Sequence, residues 1–126
     1  MLFNVAFSQS LLSLLFTSSP TVDLRPYKVY TALLSQSSTN NPTATIFENT
    51  IGNIVWSREA SGYYKGTLAN SFPSNKTIVF VSAPYSKFAD WNADDYSINA
   101  ISVSVLNKLG AEADGWIMSI EIRVYN

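Results

Sequence analysis

The sequence predicts an all-β protein: an antiparallel β-sandwich, jelly-roll-like, of about seven to eight strands, preceded by an N-terminal arm or short helix. Three observations carry that reading. Near the end of the chain Ile101, Val103 and Val105 alternate with Ser102 and Ser104, and Met118, Ile120, Ile122 and Val124 alternate with Ser119, Glu121 and Arg123. A period of two places apolar side chains on one face of a strand and polar ones on the other. Runs rich in Val, Ile, Thr, Tyr and Trp recur about every ten residues, punctuated by Asn, Ser, Gly and Pro clusters. Beyond residue 26 no strong helical periodicity competes with them.

Residues 2–16 (LFNVAFSQSLLSLLF) are the most apolar stretch. Phe3, Phe7, Leu11, Leu14 and Leu15 recur at spacings of three and four, as along one side of a helix, while a split into an extended piece and one helical turn fits the same residues. A membrane span needs about 20 mostly apolar residues, and Asn4, Ser8, Gln9, Ser10 and Ser13 interrupt this shorter run. A secretory signal would begin with a basic region, whereas the first basic residue is Arg25. The stretch therefore reads as an assembly arm that packs on its own domain or on a partner. Residues 17–26 (TSSPTVDLRP) read as its connector, with prolines and small polar residues that favour an irregular course. The chain divides into residues 1–25, arm and connector, and residues 26–126, the β-sandwich domain.

In the body, residues 27–36 (YKVYTALLSQ) suit a pleated surface, being dense in aromatic and β-branched side chains. SSTNNP at 37–42 is a turn cluster, residues 43–48 a short strand, and residues 49–53 a turn around Gly52. Residues 54–58 (IVWSR) form the next strand, and Ala60-Ser61-Gly62 a tight hairpin turn into a strand at 63–69. After the NSFPSNK loop, the apolar run TIVFV at 77–81 is expected to be a strand buried on both faces. Residues 84–95 read as a long aromatic and acidic loop. The closing strands, 96–106 and 116–125, are joined by NKLGAEADG with its two glycines.

Composition bounds the chemistry. The 126 residues hold no His and no Cys, so a Ser-His-Asp triad, a thiol nucleophile, a disulfide and imidazole or thiolate metal ligation are all excluded. Eight Lys and Arg against nine Asp and Glu give a net charge of -1, with the basic residues scattered. No basic run is present to neutralise a row of phosphates or hold an anionic bilayer, so neither nucleic acid nor membrane is an expected partner. The near-zero charge leaves little repulsion between copies. Charged residues are 13% of the chain, and 18 Ser, 9 Thr and 11 Asn supply the polarity instead.

Three candidate sites stand out. Aromatic faces stack on sugar rings, so Tyr85, Phe88, Trp91 and Tyr96 are candidate glycan-stacking residues, set against the ordinary role of strand aromatics as core. Asp90, Asn92 and Asp94 offer oxygen at alternate positions, as a calcium loop does. They are weak candidates, because Asp95 stands where that loop needs Gly and Ile101 where it needs the bidentate Glu. Carboxylates such as Glu48, Glu59, Asp90, Glu112 and Asp114 could pair for glycoside hydrolysis, but none sits in a recognisable motif. Asn75-Lys76-Thr77 matches the glycosylation triplet in isolation. The expectation is a protein that is not an enzyme and takes no cofactor.

The wording from residue 26 onward points to a lineage. PYKVYTALLSQ from Pro26, NPTATIFENTIG from Asn41, VWSR from Val55, GYYKGTL from Gly62, Phe72 and NKT from Asn75 follow one another in order. This resembles a small β-rich domain of bacteriophage virion-associated proteins, found in phages linked to Bacteroidetes hosts and aquatic samples, alone or attached to fibre-like proteins. The resemblance covers a little under half the chain and carries no catalytic motif. It implies a virion location and a structural part, namely a capsid decoration, minor capsid, spike or fibre component. Its partners would be other virion proteins and copies of itself. The alternative is a receptor- or carbohydrate-binding module on the virion surface, with a host surface glycan as partner.

Overall fold

The computed structural model describes residues 22–84, 86–91 and 97–126, and among them the chain forms eight strands and no helix. In order these are β1 (Tyr27–Gln36), β2 (Thr43–Asn49), β3 (Val55–Ala60), β4 (Tyr63–Thr67), β5 (Thr77–Ser82), β6 (Lys87–Trp91), β7 (Ala100–Asn107) and β8 (Trp116–Tyr125). They make two four-stranded antiparallel sheets. The front sheet has the order β2-β1-β8-β5 and the back sheet β3-β4-β7-β6. The expected β-sandwich is the fold. Its likeness to a jelly roll lies in the first and last strands meeting in one sheet, whereas β1–β2 and β3–β4 each stay together as hairpins.

Alternation explains which faces meet. β1 and β8 pair along ten positions, from Tyr27 opposite Tyr125 to Gln36 opposite Trp116. This register sets Tyr30, Ala32 and Leu34 beside Ile122, Ile120 and Met118 on the inward face, all essentially inaccessible. A slip of one residue would turn one of these two sets to water. The back sheet answers with Trp56, Tyr64, Ile101, Val103 and Val105, while Phe72, from the loop after β4, completes the core. Burying each of these large side chains is worth roughly 1.5–3 kcal/mol, and together they hold the sheets face to face.

A hydrogen bond between Trp56 and Tyr30 crosses the core. Trp56 Nε1 of the back sheet donates to Tyr30 Oη of the front sheet at 3.2 Å. Trp56 has room because Gly66 lies opposite it on β4: a Cβ there would stand 2.9 Å from Trp56 and from Ile54. The β3–β4 turn depends on glycine for a different reason. Gly62 has φ +70°, and a Cβ on it would come within 2.6 Å of the Val105 carbonyl oxygen. The Gly62 carbonyl instead accepts a bond from Val105 N–H at 2.8 Å, tying the hairpin turn to β7.

Four expectations are corrected. β5 is not buried on both faces: it is the edge of the front sheet, with Ile78 and Phe80 exposed on the outer face and Val79 and Val81 packed inward. An unbroken apolar run does not distinguish a strand covered twice from one covered once. Residues 84–95 are not all loop, since β6 forms at Lys87–Trp91 by pairing with β7 from Lys87 opposite Asn107 to Trp91 opposite Val103. The final hairpin begins later than residue 96, because Ser97 to Asn99 turn the chain and β7 starts at Ala100. Ser102, expected to face water, is fully buried and accepts a bond from Tyr63 Oη at 3.3 Å.

Gly66→Ala is predicted to destabilise the fold by about 1–3 kcal/mol, the usual cost of overpacking a closed core. Urea unfolding followed by tryptophan fluorescence reads the effect. An unchanged midpoint would mean that Trp56 and Ile54 yield freely.

Candidate assembly surface

Exposed large apolar side chains are distributed unevenly. The front sheet carries Leu33, Ile46, Phe47, Ile78, Phe80 and Ile117, whereas the back sheet carries Val55 and Phe88. Leu33, Ile117, Ile78 and Phe80 all lie on the outer face of the front sheet, because each pairs with, or sits two residues from, a polar outward position of β8. Leu33 stands opposite Ser119, and Phe80 opposite Glu121. Lower on this face the Arg123 guanidinium lies 4.9 Å from the Tyr27 ring centre and 5.2 Å from that of Phe80, while its Nε donates to Glu121 at 2.6 Å. The face is thus apolar at one end and a cation–aromatic stack at the other, a mixture common at interfaces between proteins.

Among the described residues this sheet ends in β5 on one side and in β2 on the other. The seven residues of β2 are all exposed, and among the described residues it pairs with β1 alone. Phe47 is the extra residue at a bulge, lying between Ile46, opposite Ala32, and Glu48, opposite Thr31. The connector is pinned here. Arg25 donates to Asp23 at 2.7 Å and also to Glu48 of β2, and these partners hold its guanidinium above its ordinary pKa. Val22 and Leu24, just upstream, are largely exposed.

A second feature sits where β1 and β8 meet the back sheet. Arg58 is inward-facing and binds Asp114 through both carboxylate oxygens at 2.9 and 2.8 Å. Tyr64 Oη donates to the same carboxylate at 2.5 Å. Gln36 Oε1 accepts from Gly115 N–H at 2.7 Å, and its Nε2 donates to the carbonyls of Ser38 and Asn40, both at 2.9 Å. Trp116 stacks edge-on against Tyr64 with ring centres 4.7 Å apart, and among the described residues its buried Nε1 has no hydrogen-bond partner within bonding geometry. The Arg58 guanidinium, aided by the Tyr64 hydroxyl, holds the Asp114 carboxyl well below the usual range. Burial, then the neighbouring carboxylate, pushes Tyr64 up to about 12. This arrangement locks both sheets and the 113–115 segment together; its carboxylate is fully engaged by donors, unlike a poised acid or base.

The residues singled out from sequence fall as follows. Phe3, Phe7, Leu11, Leu14 and Leu15 of the arm lie outside the described residues, as do Tyr85, Tyr96, Asn92 and Asp94. Phe88 and Trp91 do not share a glycan platform. Both lie on β6, where an odd separation of three residues sends them to opposite faces, Phe88 outward and Trp91 against the core. Asp90 is exposed on the outer side, and among the described residues no three carboxylates gather as a metal would require. Of the acids considered for hydrolysis, Glu48 and Asp114 are engaged by arginines, and Glu59 accepts from Ser57 Oγ at 2.6 Å. Comparison with family models, curated proteins and solved structures found no match.

Sequence reasoning missed the Arg58–Asp114–Tyr64 cluster. The available signal was that Arg58 shares a face with the core residue Trp56 two positions earlier. Because the Asp114 pKa is lower in the folded protein than in the unfolded chain, its stabilisation is complete above about pH 4 and declines as the pH falls from there toward the folded value. Urea midpoints for the parent and Asp114→Asn are therefore predicted to differ most at pH 7 and to converge in acid. A constant gap from pH 7 to pH 2 would assign the stabilisation to some other group.

Proposed function

We propose that this protein is a structural component of a bacteriophage virion, a capsid decoration, minor capsid, spike or fibre part, that acts by protein–protein packing. It is anchored through residues 1–25 and presents the sandwich as its body. The observation that carries this is the concentration of exposed apolar side chains on one sheet, next to the point where an uncharged apolar segment joins the domain. Apolar side chains gathered on one sheet of a small domain point to an interaction site. The resemblance of the segment from Pro26 to Thr77 to phage virion-associated domains supports the setting. The carbohydrate-binding alternative has less behind it, since Phe88 and Trp91 face opposite ways.

Two outcomes are expected. Antibody or gold labelling of intact particles from a host that expresses the chain should place it on the virion at many regularly spaced positions; its absence from purified particles would end the virion reading. Deleting residues 1–20 should leave a folded monomer that no longer assembles, measured by sedimentation and circular dichroism. A truncated chain that assembles normally would remove the anchoring role of the arm.

A further inference from the structure

We propose that the Asp114–Gly115 peptide is a latent self-modification site, at which the main chain isomerises to an isoaspartyl linkage when the bonds from Gln36, Arg58 and Tyr64 are released. The inference does not depend on the virion reading, since it concerns a reaction of this chain with water alone.

The dipeptide sets the chemistry. In an Asp-Gly pair the glycine amide nitrogen can attack the aspartate side-chain carbon Cγ, because glycine has no Cβ to obstruct the approach. The N–Cγ bond forms as a Cγ–O bond breaks, and the carboxyl hydroxyl leaves as water with the amide proton. The cyclic imide then takes up water. Addition at the main-chain carbonyl breaks its bond to nitrogen and leaves the chain linked through Cγ, one methylene longer. Water lost and water gained cancel, so the mass is unchanged. Asp114–Gly115 is the one Asp-Gly pair in the sequence, and Asn-Gly does not occur.

The fold calls for both residues. Gly115 has φ +75°, and a Cβ on it would meet nothing within 4 Å, so the backbone conformation and not crowding requires glycine. Asp114 is the carboxylate that Arg58 binds. The turn into β8 therefore carries the reactive pair as a condition of its own geometry.

Bonding, more than burial, restrains the reaction. Gly115 is exposed and the Asp114 side chain is 22% exposed, so water reaches the pair. Ring closure needs a neutral carboxyl with a hydroxyl to lose, and an amide free to turn its nitrogen on Cγ. Arg58 donates to the two carboxylate oxygens at 2.9 and 2.8 Å and Tyr64 Oη to one of them at 2.5 Å, which keeps the group ionised. Gly115 N–H donates to Gln36 Oε1 at 2.7 Å. These restraints come from β3, β4 and β1, so each reacting group is held by strands distant in sequence. Opening of the 113–115 segment releases both groups together.

The product does not fit back. Trp116 pairs with Gln36 at the end of the β1–β8 ladder. An added methylene at residue 114 moves either the carboxylate away from Arg58 or Trp116 away from its place opposite Gln36. A chain that stays open long enough is thus marked by a linkage that the closed cluster no longer accepts.

The test follows isoaspartate at residue 114 in full-length protein held for weeks near neutral pH. Peptide mapping locates it, and enzymatic methylation by an isoaspartyl methyltransferase measures it. The parent unfolded in guanidinium chloride is expected to accumulate isoaspartate, and unfolded Asp114→Glu, whose longer side chain does not close the same ring, is not. The folded parent should accumulate it at least about tenfold more slowly than the unfolded chain, because reaction proceeds only from open states. Gln36→Ala frees the amide and Arg58→Gln frees the carboxyl; each, shown to be folded by circular dichroism and melting curves, should react faster than the parent. Tyr64→Phe, which removes one donor only, takes the place of either variant that fails to fold, with the same expected direction. An unfolded parent that forms no isoaspartate at residue 114 would overturn the site. A folded parent that reacts as fast as the unfolded chain would overturn the restraint. Folded variants that react as slowly as the parent would show that these bonds are not what holds the reaction off.

Discussion

Pairing of β1 with β8 is the constraint on which the rest of the molecule hangs. Ten consecutive positions match residues 27–36 with residues 116–125, so the two longest strands form the centre of the front sheet. β2 joins only through β1, and β5 only through β8. The same ladder arranges the inward row of Tyr30, Ala32, Leu34, Met118, Ile120 and Ile122 onto which the back sheet packs. Shift this one register and both outer strands lose their alignment, as does the apolar floor of the core.

Polar groups inside the sandwich then select one way for the sheets to sit. The Tyr30–Trp56 bond spans the gap between them, and the Arg58–Asp114–Tyr64 cluster joins β3, β4 and the segment leading into β8. A buried donor or acceptor without a partner costs about 1–3 kcal/mol, more when charged. Sliding one sheet over the other would strand several of these at once, whereas apolar contacts alone tolerate small shifts. Gln36 works in the same sense at the end of β1, joining the turn at Ser38 and Asn40 to Gly115. Its position after Tyr30, Ala32 and Leu34 on the inward face is where an apolar residue would otherwise continue the pattern.

Much of the fold was legible because alternation is a local property. β1 and β8 have the bounds read from residues 27–36 and 116–125, and Ala60-Ser61-Gly62 makes the hairpin turn. β6 was not legible: KFADW is short, carries two charges and owes its strand to β7 beside it. For β5 the residue types were right but its edge position, and so the exposure of Ile78 and Phe80, is a property of strand order. The polar cluster brings Arg58 to Asp114 across 56 residues, a distance over which no pattern in the chain speaks. The inward course of Trp91 has the same origin: residue 91 packs against the core because it pairs with Val103.

The long-range ladder also sets an order of events during synthesis and folding. Some eighty residues separate the end of β1 from the start of β8, and closing such separated pairings is slow, typically milliseconds to seconds in β-sandwiches. The β1–β2 hairpin is local and needs no such wait, but until residues 116–125 have been made and have found residues 27–36, β1 lacks its second neighbour and β5 has no strand to join. Their inward apolar side chains stay uncovered for that interval, so the last strand to be made decides when the chain's exposure to wrong partners ends.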